Sequence, residues 1–180
     1  MNLKNIYLYS ICLTLTIISG CTPEAYIEKV TPITPGLSHY ETAFVNVKAN
    51  SREIENEHGY QESRSALQTE FISKLSDAHV FSMVSPQSSD NNENGSVLID
   101  LIIEDMNYLS GTSSIMGGVF SGNAHLRILA KLTEADTGKI IGEIRSGAQT
   151  SSSGGMFRGS TSTLISEIST KLTKEISGYK

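Results

Sequence analysis

Two stretches of this chain have the composition of loops that do chemistry: residues 117–122, GGVFSG, and residues 154–159, GGMFRG. Both read Gly-Gly, apolar, Phe, polar, Gly. Glycine-rich loops cradle phosphates when they lead into a helix whose N-terminus, or a nearby Lys, is aimed at the anion. Neither hexad fits G-x-x-x-x-G-K-[ST] or G-x-G-x-x-G, so a nucleotide site is not the reading they support. A helix is expected after Gly159, and an anion at its start, assisted by Arg158, is the residual form of that idea. The other chemical candidates are sparse. His39, His58, His79 and His125 never take the spacing of a helical zinc pair, and no G-x-S-x-G elbow is present. Glu53, Glu55, Glu57, His58 and Glu62 could hold a divalent cation loosely, though a solvated acidic loop is the commoner outcome of such a run. Asp100 is the one acid inside an apolar stretch; it needs a hydrogen-bonding partner, or else marks a catalytic acid. The expectation is therefore no catalytic residue, no metal and no cofactor.

Cys21 carries the strongest chemical signal. The chain opens with a short positive start, an apolar run over residues 6–18, then Ser19 and Gly20, which is the layout of a secretory signal too short to span a bilayer permanently. Ile18-Ser19-Gly20-Cys21 resembles the bacterial lipobox. That resemblance implies cleavage between Gly20 and Cys21, diacylglycerol on the Cys21 thiol, and acylation of the new amine. Two or more acyl chains anchor stably where one binds only reversibly. Thr22 in place of Asp resembles the outer-membrane sorting pattern. Cys12 lies in the removed segment, so lipidation of Cys21 leaves no free thiol, no disulfide and no cysteine-based metal site.

Removing residues 1–20 removes Lys4 and no acid, which takes the formal net charge from −5 to −6. An acidic chain without a basic cluster is a poor partner for nucleic acid or anionic headgroups. Membrane attachment is thus expected through lipid alone. The length suits one domain.

The elements that must position these residues follow from periodicity. Residues 21–41, with Pro23, Pro32 and Pro35, read as lipidated Cys and flexible tether, reaching about 25 Å on average. The domain proper is expected over 42–180. Residues 42–48 and 79–84 read as short strands, 96–106 as a strand covered on both faces, and 85–96 as a mobile polar loop. Leu67, Phe71, Leu75 and Ala78 form one helical stripe over 62–78; Leu164, Ile165, Ile168, Leu172 and Ile176 form another over 160–178. Between them, Asp136-Thr137-Gly138 suits a three-residue hairpin turn that pairs Ala135 with Lys139. This register opposes Ala130 to Ile144, Lys131 to Glu143 and Leu129 to Arg145, and puts one apolar row (Ala124, Leu126, Ile128, Ala130, Leu132) on the core side. Extended outward, it opposes Phe120 to Gly154 and Gly117 to Phe157. The hexads become neighbours at the open end of one hairpin. Met116, Val119, Phe120, Met156, Phe157 and Arg158 then form either a plug for the end of the core or an interaction surface. The whole reads as α+β: a mixed, largely antiparallel sheet of about five strands with two helices on one face, in the order βαββββα.

This order of motifs resembles a family of uncharacterised bacterial lipoproteins known only as a domain of unknown function. The residues that carry the resemblance are Phe81 to Val84, Val97 to Ile103, Gly117 to Gly122, Asp136 to Lys139 and Leu164 to Ile176. The organisation is also similar to the periplasmic domain of the curli secretion lipoprotein and to the TolB N-terminal region. The resemblance implies an envelope protein that works by binding, in assembly or support of a surface or secretion structure, its partner an envelope protein or further copies of itself. An enzyme facing the periplasm is the alternative.

Overall fold

The computed structural model describes residues 24–87, 95–109, 123–150 and 160–180. Its elements are β1 (Tyr26–Thr31), β2 (Thr42–Ala49), the one-turn α1 (Arg52–Glu55), α2 (Tyr60–Asp77), β3 (Met83–Pro86), β4 (Ser96–Asn107), β5 (His125–Glu134), β6 (Ile140–Gln149) and α3 (Thr161–Ser177). They form a mixed α+β fold. One sheet has the order β1-β6-β5-β4-β2-β3; β2 lies parallel to β3 and β4, and the other pairs are antiparallel. Helices α2 and α3 pack on each other, α2 over β2 and β3, α3 over β6, β5 and β1. They share one face, as an amphipathic pair on a half-apolar sheet must. Their predicted stripes are the buried ones: Leu67, Phe71 and Leu75 of α2, and Leu164, Ile165, Ile168, Leu172 and Ile176 of α3. Val45, Val47, Ile99, Leu101, Ile103 and the row Ala124 to Leu132 meet them from the sheet.

The hairpin register holds where it matters for the faces. Ala130 opposes Ile144, Lys131 opposes Glu143, and Leu129 opposes Arg145. Near the turn it shifts, so that Thr133 faces Ile140. Glu134, not Ala135, closes on Lys139, its N–H donating to the Lys139 carbonyl at 2.9 Å. The cause is a competing bond: the Ala135 N–H continues the neighbouring ladder by donating to the Ser96 carbonyl at 3.0 Å. Gly138 takes the left-handed conformation (φ 71°) that the turn needs, at no steric cost for a residue without Cβ.

Three expectations are corrected. Among the described residues the sheet has six strands, because part of the stretch read as tether is β1, paired with β6 from Tyr26↔Gly147 to Thr31↔Glu143. Ala25, Ile33 and Leu37 bury beside it, which compensates the ordering of a segment with three prolines nearby. The strand expected over 79–84 is β3, at 83–86; Val80 and Phe81 are instead turn residues sunk in the core after α2. Pro86 can end β3 because β3 is an edge strand. Finally, the two faces of the central strand β4 differ: Val97, Ile99, Leu101 and Ile103 are buried under the helices, whereas Leu98, Asp100 and Ile102 on the other face are half-exposed. The expected loop core, residues 88–94, lies outside the described residues.

The far end of the molecule gives a pH prediction. The Tyr40 hydroxyl donates to Glu134 Oε1 at 2.7 Å, tying the segment before β2 to the hairpin turn. Burial, then the Glu134 carboxylate, pushes the Tyr40 hydroxyl up from 10.0 to about 12. An acid whose folded pKa is raised contributes stability that is complete below its unfolded value and is lost as pH rises through the folded one. The wild type should therefore lose stability between pH 10 and about 12, and Tyr40→Phe should flatten that limb; chemical denaturation across this range measures it. Glu134 is shifted the other way, held below the usual carboxylate range by hydrogen bonds from Thr137 and Tyr40. Its contribution is present above the ordinary value and is lost as pH falls.

Candidate functional site

The residues that flank the two hexads are gathered at one end of the sheet. Leu109 and Thr161 exchange two hydrogen bonds: Leu109 N–H donates to Thr161 Oγ1 at 2.8 Å, and Thr161 N–H donates to the Leu109 carbonyl at 3.1 Å. Ala124 and Thr150 do the same, Ala124 N–H to Thr150 Oγ1 at 3.0 Å and Thr150 N–H to the Ala124 carbonyl at 2.9 Å. Asn107 Nδ2 donates to the Asn123 carbonyl at 2.8 Å and links the two seams. The Ala124–Thr150 pair continues the register of Ala130 and Ile144, so the strands stay aligned up to the last described residues. The hexads themselves, with Met116, Val119, Phe120, Met156, Phe157 and Arg158, lie outside the described residues, as do Gly20 and Cys21.

The start of β1 lies at this same end. Tyr26 pairs with Gly147 near the close of β6, and Glu24 borders one hollow with His125 and Gln149. From Glu24, Cys21 is three residues upstream, a reach of at most about 11 Å for an extended chain. A lipid on Cys21 would therefore hold this end of the sheet, and not the hairpin turn, against the bilayer. Among the described residues, no helix is long and apolar enough to cross a membrane.

The sheet face away from the helices carries the charged residues. Arg145, on β6, is the hub: its Nε and Nη2 donate to the two oxygens of Glu104 at 2.8 and 3.1 Å, and Nη1 donates to Glu28 Oε2 at 3.1 Å. These carboxylates hold its guanidinium still more firmly protonated than usual. Arg127 stands beside it, 3.4 Å from Glu104 and 3.7 Å from Asp105. The fork geometry of Arg145 is the favourable kind, and its half-buried setting lessens solvent screening. Asp100 is explained on the same face: it accepts from Asn46 Nδ2 at 3.0 Å and from Lys48 Nζ at 2.8 Å, opposite Lys131. It is a paired acid, and its place in an apolar strand is that of a residue on the open side.

The hollow at this end of the sheet, about 560 Å³, is lined by Glu24, Tyr26, Asp105, His125, Arg127 and Gln149. His125 Nε2 lies 3.2 Å from Asp105 Oδ1, both side chains being well exposed. The Tyr26 ring covers Gly147, where a Cβ would fall 2.6 Å from the Tyr26 hydroxyl oxygen. The hollow brings His125 to a carboxylate, as an enzyme would need. Tyr26 and Glu24 line it beside that pair, and Asp100 is not part of it. Glu53 and Glu55 fall on α1, Glu57 and His58 in the turn after it, and Glu62 on α2. Among the described residues, no three of His, Cys, Asp and Glu approach closely enough to hold a metal ion. Sequence reasoning did not find the Arg145–Glu104–Glu28 hub or the exposed strand β1. The Leu129–Arg145 register placed Arg145 on the open face, and β1 alone was needed to bring Glu28 to it.

No family model matches the chain, and no curated protein matches it in sequence. Solved structures do resemble it. The PelC dodecamer from Paraburkholderia phytofirmans superposes with a TM-score of 0.55 at 11% identity, over 84% of this chain and 96% of that one. A dodecamer of a point-substituted PelC from the same organism gives 0.58 at 10% identity, over 84% and 98%. A Xanthomonas campestris protein of the DUF330 family gives 0.44 at 12% identity, over 84% and 91%. At such identities the PelC likeness establishes a shared fold along nearly the whole length of that chain.

Proposed function

We propose that this chain is a bacterial lipoprotein, held through acyl chains on Cys21 in the cell envelope at the outer membrane, that acts by protein–protein binding without catalysis. Its work is assembly or support of a surface or secretion structure. The observation that carries the reading is the shared polarity of the fold. The residues flanking both hexads and the chain leading to Cys21 meet at one end of the sheet, so an apolar, glycine-flanked surface would be presented next to the anchor. Large apolar residues set among Gly and Ser are seldom left uncovered. In this reading Met116, Val119, Phe120, Met156, Phe157 and Arg158 meet a partner at the membrane surface.

A second observation favours self-association as part of that function: the PelC structures sharing this fold are dodecamers. The test is a photo-crosslinking residue at Asn123, beside the hexads, compared with one at Asp136 in the opposite turn. Both positions are exposed.

A further inference from the structure

The open face of the sheet has a gap. Tyr26 of β1, Gly147 of β6, Arg127 of β5 and Asp105 of β4 stand in one cross-strand row, on the side away from the helices. Gly147 contributes no side chain to that row, and the space it leaves is the floor of the hollow of about 560 Å³. Three strand spacings separate Tyr26 from Asp105, about 14 Å. The volume is that of a small-molecule site. The end of the Tyr26 ring lies over the floor: a Cβ on Gly147 would fall 2.6, 2.7 and 2.8 Å from its Oη, Cε1 and Cζ. Even so, Tyr26 is 49% exposed, the only aromatic among the four large hydrophobic side chains that stand exposed in the described residues.

The charged groups around the ring already face one another. Arg127 Nε lies 3.4 Å from Glu104 and its Nη2 3.7 Å from Asp105 Oδ2, while His125 Nε2 lies 3.2 Å from Asp105 Oδ1. At the rim, Glu24 faces Lys171 at 3.5 Å. A phosphate would have to compete with Glu104 and Asp105 for Arg127. An amine would have to compete with Arg127 for Asp105. What the array offers instead is a mixed set of placed donors and acceptors: guanidinium N–H groups, carboxylate oxygens and the exposed amide of Gln149, which pairs across the ladder with His125. A hydroxyl both donates and accepts, so a neutral polyol matches such a set. The C–H bonds on the flat side of a pyranose ring carry slight positive charge, and the face of an aromatic ring is negative.

We propose that this hollow binds a neutral oligosaccharide, with one sugar ring stacked on Tyr26 and hydroxyls held by Arg127, Asp105 and Gln149. His125 acts through Asp105 and positions it. The site is built by the strands themselves and stands whether or not Cys21 carries lipid.

The test is calorimetric titration of the full chain, solubilised in a detergent without sugar headgroups, with cellohexaose, chitohexaose, maltohexaose and the anionic hexagalacturonate. At least one of the neutral chains is expected to bind, with an affinity unchanged between low and high salt, because the complex pairs no new charges. Tyr26→Ala should weaken that binding about tenfold or more. Its melting temperature should stay near that of wild type, the side chain being half exposed. Tyr26→Phe keeps the ring and should bind as wild type does. Gly147→Ala should weaken binding as well, because its methyl group displaces the ring from over the floor. Should Tyr26→Ala fail to fold, Gln149→Ala, at an exposed position, carries the comparison with an expected loss of about threefold or more. Failure of every neutral chain to bind overturns the proposal, as do binding that survives Tyr26→Ala and a preference for hexagalacturonate.

Discussion

Replacing Cys21 by Ala is expected to abolish labelling by fatty acid and to leave an uncleaved or soluble precursor in place of the lipid-anchored protein. The effect is large because, once residues 1–20 are removed, nothing else read in the sequence offers attachment. Each buried methylene of an acyl chain contributes about 0.8 kcal/mol, so two or three chains amount to stable anchoring. An acidic domain gains nothing from anionic headgroups to replace it. The variant should accumulate as uncleaved or soluble precursor, with its folded domain unchanged, since Cys21 precedes the described core. Wild-type protein that takes up no label in a bacterial host would sink the lipoprotein reading.

The second large effect belongs to the hexads. Phe120→Ser together with Phe157→Ser is expected to leave the melting temperature near that of wild type while the co-purifying partner disappears. The competing reading makes both rings a plug for the end of the sheet–helix core. Truncating a buried aromatic costs about 3–5 kcal/mol, so a double plug mutant would leave little folded protein. Thermal unfolding and co-purification of the same preparation separate the two outcomes. Normal stability with unchanged association eliminates both.

How far the fold was legible can be argued from particular residues. The hairpin was readable because Asp136-Thr137-Gly138 marks its turn while charge alternation in β5 and β6 marks its faces. The helices were readable because each has a single apolar stripe. β1 was hidden because an edge strand need bury almost nothing. Of Tyr26 to Thr31 only Ile27 is even half-buried, so no periodic pattern distinguishes the segment from a tether. The shift near the turn was hidden because it depends on Ser96, a residue of another strand that captures the Ala135 N–H. The Arg145 hub joins residues from three strands, including one that composition assigned to a tether. Of the candidate site, the spacing of the hexads pointed to one end of a hairpin, and their flanks do meet there. That the chain from Cys21 arrives at the same end could not be read without β1.

The photo-crosslinking comparison in living cells tests the central claim most directly: that the anchor-proximal end of this domain is its binding end. Asn123 stands beside the hexads at that end, and Asp136 at the tip of the opposite turn, both exposed. The account predicts a discrete crosslinked species from position 123, lost in the Phe120→Ser, Phe157→Ser background, and none from position 136. Crosslinks of equal yield from both positions, or from position 136 alone, would contradict it.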